Sequence, residues 1–183
     1  MNTNYKPFTP KAAVELASPP SLVAAVMPVF VGGATAFGFM RFTPFVFDVR
    51  ATAALLLMFV TAVLMQAAVN TLNDYQDFLS GTDTAETILD THDASIVYNQ
   101  INPRSALRFG IVLLVCAALS GCVLVLLSHW ALLIVGVAAA AVVVLYSAGP
   151  KPVSFLPIGE FVSGLVMGVC ITASTYYALT LRF

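Results

Sequence analysis

Apolar residues gather in five long runs separated by polar breaks: Leu22–Met40, Ala51–Thr71, Phe109–Leu127, Trp130–Tyr146 and Phe161–Leu181. Each run is uncharged and lacks two-residue alternation, so the pattern predicts helices rather than strands. A helix that crosses a bilayer needs about 20 residues, with a range of roughly 17 to 25. All five runs fit, the fourth at the lower limit. The expected fold is therefore all-α, a polytopic transmembrane helix bundle of about five spans. Pro28, Gly32 and Gly33 predict a kinked or closely packed first span, which neighbouring helices can accommodate. Lys6, Lys11 and Ala34-Thr35-Ala36 give that run some features of a secretory signal. Its length and the four runs that follow make it an uncleaved span instead.

One helix carries a polar stripe. If the second span continues as a helix to residue 77, Gln66, Asn70, Asn73, Asp74 and Asp77 fall within a sector about 80–100° wide at about 100° per residue. Polar groups at that depth are costly in lipid and face a protein interior or a water-filled cavity. The stripe predicts that the second helix lines a cavity opening at one membrane surface. It runs into the loop 72–105, where Asp74, Asp77, Asp83, Glu86, Asp90 and Asp93 hold six of the chain's nine acidic residues.

Composition supports the membrane class. Hydrophobic residues make up 60% of the chain and charged residues 9%, against about 25% charged in a soluble domain. A net charge of −1 excludes nucleic-acid binding driven by bulk basicity. Cys116, Cys122 and Cys170 sit in apolar runs without metal-ligand spacing and read as buried small residues. With a cytoplasmic N-terminus, Lys6, Lys11, Arg104, Arg108 and Lys151 lie on one side and Arg41, Arg50 and Arg182 on the other. Five against three is a weak positive-inside bias. It puts the acidic loop and the 147–157 connection on the cytoplasmic face of the cell's inner (plasma) membrane.

Two interpretations of the acidic end compete. Carboxylates can simply mark a solvated helix end, and for Asp83 to Asp93 taken singly that is the simpler account. For Asn73, Asp74 and Asp77 it is weaker, because a carboxylate cluster repels itself unless a cation neutralises it. Oxygen-only ligands suit Mg2+, which commonly uses one or two carboxylates plus substrate phosphates. Across the next polar break, in Tyr146-Ser147-Ala148-Gly149-Pro150-Lys151-Pro152, Lys151 fits either a diphosphate contact or a membrane-interface lysine, and Tyr146 either a site residue or an interfacial tyrosine. His92, His129 and Glu160 have ordinary interfacial or helix-end explanations. Tyr176-Tyr177 suits core packing better than contact with a prenyl chain.

The motif Asn73-Asp74-Tyr75-Gln76-Asp77-Phe78-Leu79-Ser80-Gly81-Thr82-Asp83-Thr84 resembles the first aspartate-rich motif of the UbiA superfamily of membrane prenyltransferases. Its NDxxDxxxGxDT form is most similar to the branch that prenylates 1,4-dihydroxy-2-naphthoate in menaquinone synthesis. Tyr146 to Pro152 resembles that branch's YTGGPKP segment, and Gly159-Glu160 with Thr175-Tyr176-Tyr177 resembles its fifth helix. Ser18-Pro19-Pro20-Ser21 stands where the family often has Arg-Pro. Ile96-Val97-Tyr98 stands where other branches carry a second such pair, with Arg104 a possible substitute.

The resemblance implies a bundle of about nine spans with two aspartate-rich motifs, of which residues 1–183 carry only the first. The expectation is a single, apparently truncated prenyltransferase-like domain. The resemblance further implies an enzyme that transfers a polyprenyl group from a polyprenyl diphosphate to an aromatic acceptor, with Mg2+ holding the diphosphate. Asp74 and Asp77 would be the catalytic pair. Asn73, Asp74, Asp77 and, in second rank, Asp83 would hold the metal, while Asn73, Tyr146 and Lys151 would bind the diphosphate. Expected partners are both substrates, the lipid bilayer and a C-terminal half, with no nucleic acid. A non-catalytic remnant or one subunit of a split enzyme is the rival. A small transporter ranks behind it, because the polar groups concentrate at one mouth rather than deep in several helices.

Overall fold

A computed structural model describes residues 5–39, 42, 46–84, 94–147, 153 and 156–182. Among the described residues seven helices follow in order: α1 (Pro10–Ala17), α2 (Pro19–Gly38), α3 (Val49–Ser80), α4 (Ser95–Tyr98), α5 (Pro103–Leu127), α6 (Ala131–Ser147) and α7 (Gly159–Thr180). Four of them, α2, α3, α5 and α7, are long and apolar enough to cross a membrane, and α6 is a shorter apolar helix. Among the described residues no strand forms; Lys6 and Ile101 make one isolated bridge. The protein is an all-helical integral membrane bundle.

Local chemistry sets the helix ends. Thr9, Asp48 and Asn102 each cap a helix by accepting a backbone N–H two or three residues on, from Ala12, Ala51 and Arg104. Pro10 and Pro103 occupy first turns, where their missing N–H costs nothing. The Asn102-Pro103 start brings α5 in six residues ahead of the apolar run. Ser18 sits in the left-handed region at φ 48°, ending α1, and Pro19-Pro20 then opens α2. The proline pair is thus the corner between a short surface helix and the first span.

The spine of the bundle is α3, which touches α1, α2, α5, α6 and α7. Its buried residues are mostly alanines, at positions 51, 54, 62, 67 and 68. Small residues let membrane helices approach closely where lipid gives no hydrophobic drive to associate. Thr61 and Ser120 add a hydrogen bond of 2.9 Å between α3 and α5. Against α2, α7 packs at Gly32, and Thr172 Oγ1 donates to the Pro28 carbonyl at 3.3 Å. At the far end Arg50 donates to the carbonyls of Ala178 (3.0 Å) and Leu179 (2.5 Å), satisfying the C-terminus of α7.

Two features depart from expectation. Residues Leu165–Cys170 form a π-helical segment inside α7; the apolar periodicity predicts only a continuous span there. Cys116 and Cys122 are exposed on the protein surface and Cys170 is half-buried, so none is a core cysteine. Cys122 and Cys170 line the cavity described below, and Cys116 is exposed as large apolar residues such as Leu126 (84% exposed) and Phe161 (72%) are. In lipid an apolar side chain gains nothing by being buried in protein.

Candidate functional site

At about 1.5 Å per residue, the 32 residues of α3 span about 48 Å, against a hydrocarbon core of about 30 Å. The last turns of α3, from Asn73 to Ser80, therefore project past the apolar layer. Around them α1, α4 and the start of α5 form a second small core from Ala12, Leu16, Ile96, Ile101 and Ala106, with Tyr75, Phe78 and Phe109 against it. This cap fixes the end of α3 at the surface.

A cavity of about 760 Å³ opens beside that end and runs down between α3, α5, α6 and α7. Gln66, Asn70, Asn73, Asp74 and Asp77 all line it, as the stripe predicts, and so do Asp83 and Tyr146. Its deeper wall is apolar, with Met58, Leu124, Leu132 and Met167 among its residues. Met167 and Cys170 reach it from the π-helical segment, a type of helix distortion that recurs at functional sites. Charge is thus confined to one mouth of a greasy chamber.

The mouth is built by a turn. Gly81 ends α3 in the left-handed conformation at φ 72°, with its N–H directed at the carbonyls of Asp77 and Phe78. The Asp77 carbonyl also accepts the N–H groups of Thr82 at 3.1 Å and Asp83 at 3.4 Å. The chain folds back on the last turn, as in Schellman-type caps, and Asp83 returns to the cavity that Asp77 lines. The spacing Asp77-x₃-Gly81-x-Asp83 is therefore a geometric device. The solvated-end account of Asp83 gives way, since Asp83 Oδ2 is buried. Gly81→Ala should cost about 1–2 kcal/mol, the strain of a Cβ in this conformation. Faster amide hydrogen exchange at Thr82 and Asp83 would register it; unchanged exchange would contradict it.

Asn73 Nδ2 donates to Asp77 Oδ2 at 2.7 Å one turn on. Asn73 Oδ1 is buried and has no hydrogen-bond partner. An orphaned buried carbonyl oxygen is costly, and a hard cation would satisfy it. Among the described residues no three His, Cys, Asp or Glu side chains converge to cage a metal unaided. An Asn oxygen beside carboxylates, open to a ligand, matches instead the way Mg2+ is held by few protein groups plus phosphates.

Other stripe residues serve the scaffold. Asn70 Nδ2 donates to the Ala17 carbonyl and to Ser21 Oγ, both at 2.7 Å, and Asn70 Oδ1 accepts from Gln66 at 3.1 Å. Asn70 thereby pins α3 to the corner between α1 and α2. Asp74 Oδ1 faces the backbone N–H of Ile96 at 3.4 Å. The sequence gives no sign of α4 or of its amides reaching the site. Lys151 and His92 lie outside the described residues. Arg104 and Glu160 are exposed and do not line the cavity. His129 and Tyr177 stack edge-to-face at the opposite end of the bundle, and Tyr177 is buried in the core.

Residues 25–181, nearly all of the chain, match the UbiA prenyltransferase family. The chain belongs to this family. Among curated relatives, it is 29% identical over 166 residues to the 1,4-dihydroxy-2-naphthoate octaprenyltransferase of Bacillus subtilis, covering 91% of the chain and 50% of that protein. Proteins of the same description from Mycobacterium tuberculosis (34% identity; 69% of the chain, 42% of the relative) and Haemophilus influenzae (28%; 91% and 53%) are also similar. The chain spans about half the length of the curated relatives it matches. No solved structure matches it significantly.

Proposed function

We propose that the chain binds a polyprenyl diphosphate and takes part in transferring its prenyl group to an aromatic acceptor, 1,4-dihydroxy-2-naphthoate, in menaquinone synthesis. The observation that carries this is the amphiphilic chamber: oxygen ligands from Asn73, Asp77 and Asp83 at the mouth, and an apolar interior of about 760 Å³ behind them. That volume lies within the range of small-molecule sites, about 300–1,000 Å³. A diphosphate with a hydrocarbon tail matches both halves of the chamber. The relatives' described activity supports the same substrates.

Asn73 Oδ1, Asp77 and Asp83 are the groups that would hold Mg2+. When bound, the ion neutralises the diphosphate leaving group and so favours its departure. The chain's own part is positional. The Asn73–Asp77 hydrogen bond and the Gly81 turn orient the ligand oxygens, and α6 brings Tyr146 to the cavity. The apolar wall excludes water from the allylic centre left as the diphosphate departs. Lys151 follows Tyr146 closely in the chain, so it is proposed to neutralise the diphosphate on its approach. The positive-inside bias supports a cytoplasmic mouth.

The half-length match supports a second reading, in which this chain is one part of a split enzyme or a non-catalytic remnant. One assay separates them. Membranes containing the protein receive Mg2+, a radiolabelled polyprenyl diphosphate and dihydroxynaphthoate. The enzyme reading predicts a prenylated product that EDTA abolishes. Magnesium-dependent binding without product supports a part that needs a second polypeptide. Absence of both sinks the diphosphate site.

A further inference from the structure

Asp74 lines the cavity beside Asn73 and Asp77, but its Oδ1 also accepts the backbone N–H of Ile96 in α4. We infer that Asp74 is a positioning residue, which ties α4 and α1 to the end of α3, and not a ligand of the metal–diphosphate; this rests on the diphosphate reading above. Along the helix Asn73 and Asp77 lie about 40° apart, whereas Asp74 stands about 100° from Asn73. Asn73 and Asp74 are the two edges of the stripe, and Asp74, about 60° from Asp77, is the edge beside α4. Its side chain is 6% exposed. Its Oδ1 accepts the Ile96 N–H at 3.4 Å.

What those amides belong to gives the contact its meaning. Ile96 is 1% exposed and packs with Leu16 of α1 and with Ile101. Ser95 Oγ donates to the Glu15 carbonyl at 3.4 Å, and Ile101 N–H donates to the Ile96 carbonyl at 3.0 Å. Lys6 N–H donates to the Gln100 carbonyl at 2.9 Å, so the chain before α1 joins the same knot. Asp74 supplies the carboxyl group that joins this cap to the end of α3. Mg2+ tolerates little departure from octahedral geometry, and groups that orient ligands matter to affinity nearly as much as the ligands. Holding the last turns of α3 against α4 keeps Asn73, Asp77 and the Gly81 turn in register.

The two roles separate on substitution. Asp74→Asn keeps an acceptor oxygen for the Ile96 N–H and removes the charge a ligand would need. Asp74→Ala removes both. The full chain in nanodiscs is titrated with Mn2+ as a paramagnetic stand-in for Mg2+, in the presence of farnesyl diphosphate. Amide hydrogen exchange is measured over residues 94–99 in the same samples. Asp74→Asn should bind Mn2+ within about threefold of the native protein, while Asp77→Asn loses about 30-fold or more. Asp74→Ala should speed exchange at Ser95 and Ile96 by about tenfold or more, and Asp77→Asn should not. Equal loss of Mn2+ in Asp74→Asn and Asp77→Asn would overturn the inference, as would unchanged exchange in Asp74→Ala. A native protein that binds no Mn2+ would overturn the diphosphate reading itself, and the exchange rates would still judge the Asp74 anchor on its own.

Discussion

Asp77→Asn should reduce magnesium-dependent affinity for a polyprenyl diphosphate by about 30-fold or more and leave the fold intact. The asparagine keeps an oxygen at the same place, so it still accepts the hydrogen bond that Asp77 Oδ2 takes from Asn73 Nδ2 at 2.7 Å. What disappears is one negative charge at the mouth of a low-dielectric chamber. Removing one partner of a desolvated charge pair costs about 2–5 kcal/mol, and each 1.4 kcal/mol is about a factor of ten in affinity. Equilibrium binding of a labelled diphosphate at fixed Mg2+ checks it, with thermal unfolding as the control for folding. A variant that binds as the native protein does would remove Asp77 from the site.

The second large effect lies far from the mouth. Gly32→Ala should destabilise the bundle by about 1–3 kcal/mol, the usual cost of overpacking. A Cβ on Gly32 would stand 2.5 Å from the Thr172 carbonyl oxygen and 2.7 Å from Thr175 Cβ. Neither obstacle is the loose end of a side chain: one is backbone, and Thr175 is buried and bonded through Oγ1 to the Ile171 carbonyl at 2.8 Å. So α2 and α7 must move apart, and α7 carries Met167 and Ile171 of the cavity wall. Gly164→Ala is the matched control. Nothing lies within 4 Å of its added Cβ, and helix propensity favours alanine by about 1 kcal/mol or less. Reversible unfolding in mixed micelles compares the two; equal effects would contradict the close α2–α7 contact.

Much of this was legible in the sequence, for reasons particular residues make plain. Lipid imposes long apolar runs, so all five main helices could be located, although α3 runs nine residues past its apolar run and α5 starts six residues ahead of its own. A cavity-lining stripe leaves a helical period of polar residues, which groups Gln66, Asn70, Asn73, Asp74 and Asp77 on one face. What escaped depends on backbone groups and on contacts between distant segments. The amides of α4 carry no side-chain signature, so the contact of Asp74 with the Ile96 N–H left no trace in the sequence. Asn70 was legible as a cavity-lining residue, but nothing local reveals that Ala17 and Ser21 bind it. The role of Gly81 was visible only as spacing; the turn that returns Asp83 to the mouth needed φ 72° to explain it. The π-helical stretch Leu165–Cys170 is as apolar as its flanks and leaves no pattern to read. The cysteines misled because Cys122 and Cys170 line the cavity and Cys116 is exposed, and burial rules drawn from water do not hold in lipid.

The central claim is that a metal-held diphosphate at Asn73, Asp77 and Asp83 places a prenyl tail in the chamber below. A polyprenyl diphosphate carrying a photoreactive diazirine on its tail tests this directly in membranes containing the full chain. The account predicts Mg2+-dependent cross-links to Met58, Met167 and Cys170, lost with EDTA and in Asp77→Asn. Labelling that ignores Mg2+, or that falls on outward-facing residues such as Leu126 and Phe161, would contradict it.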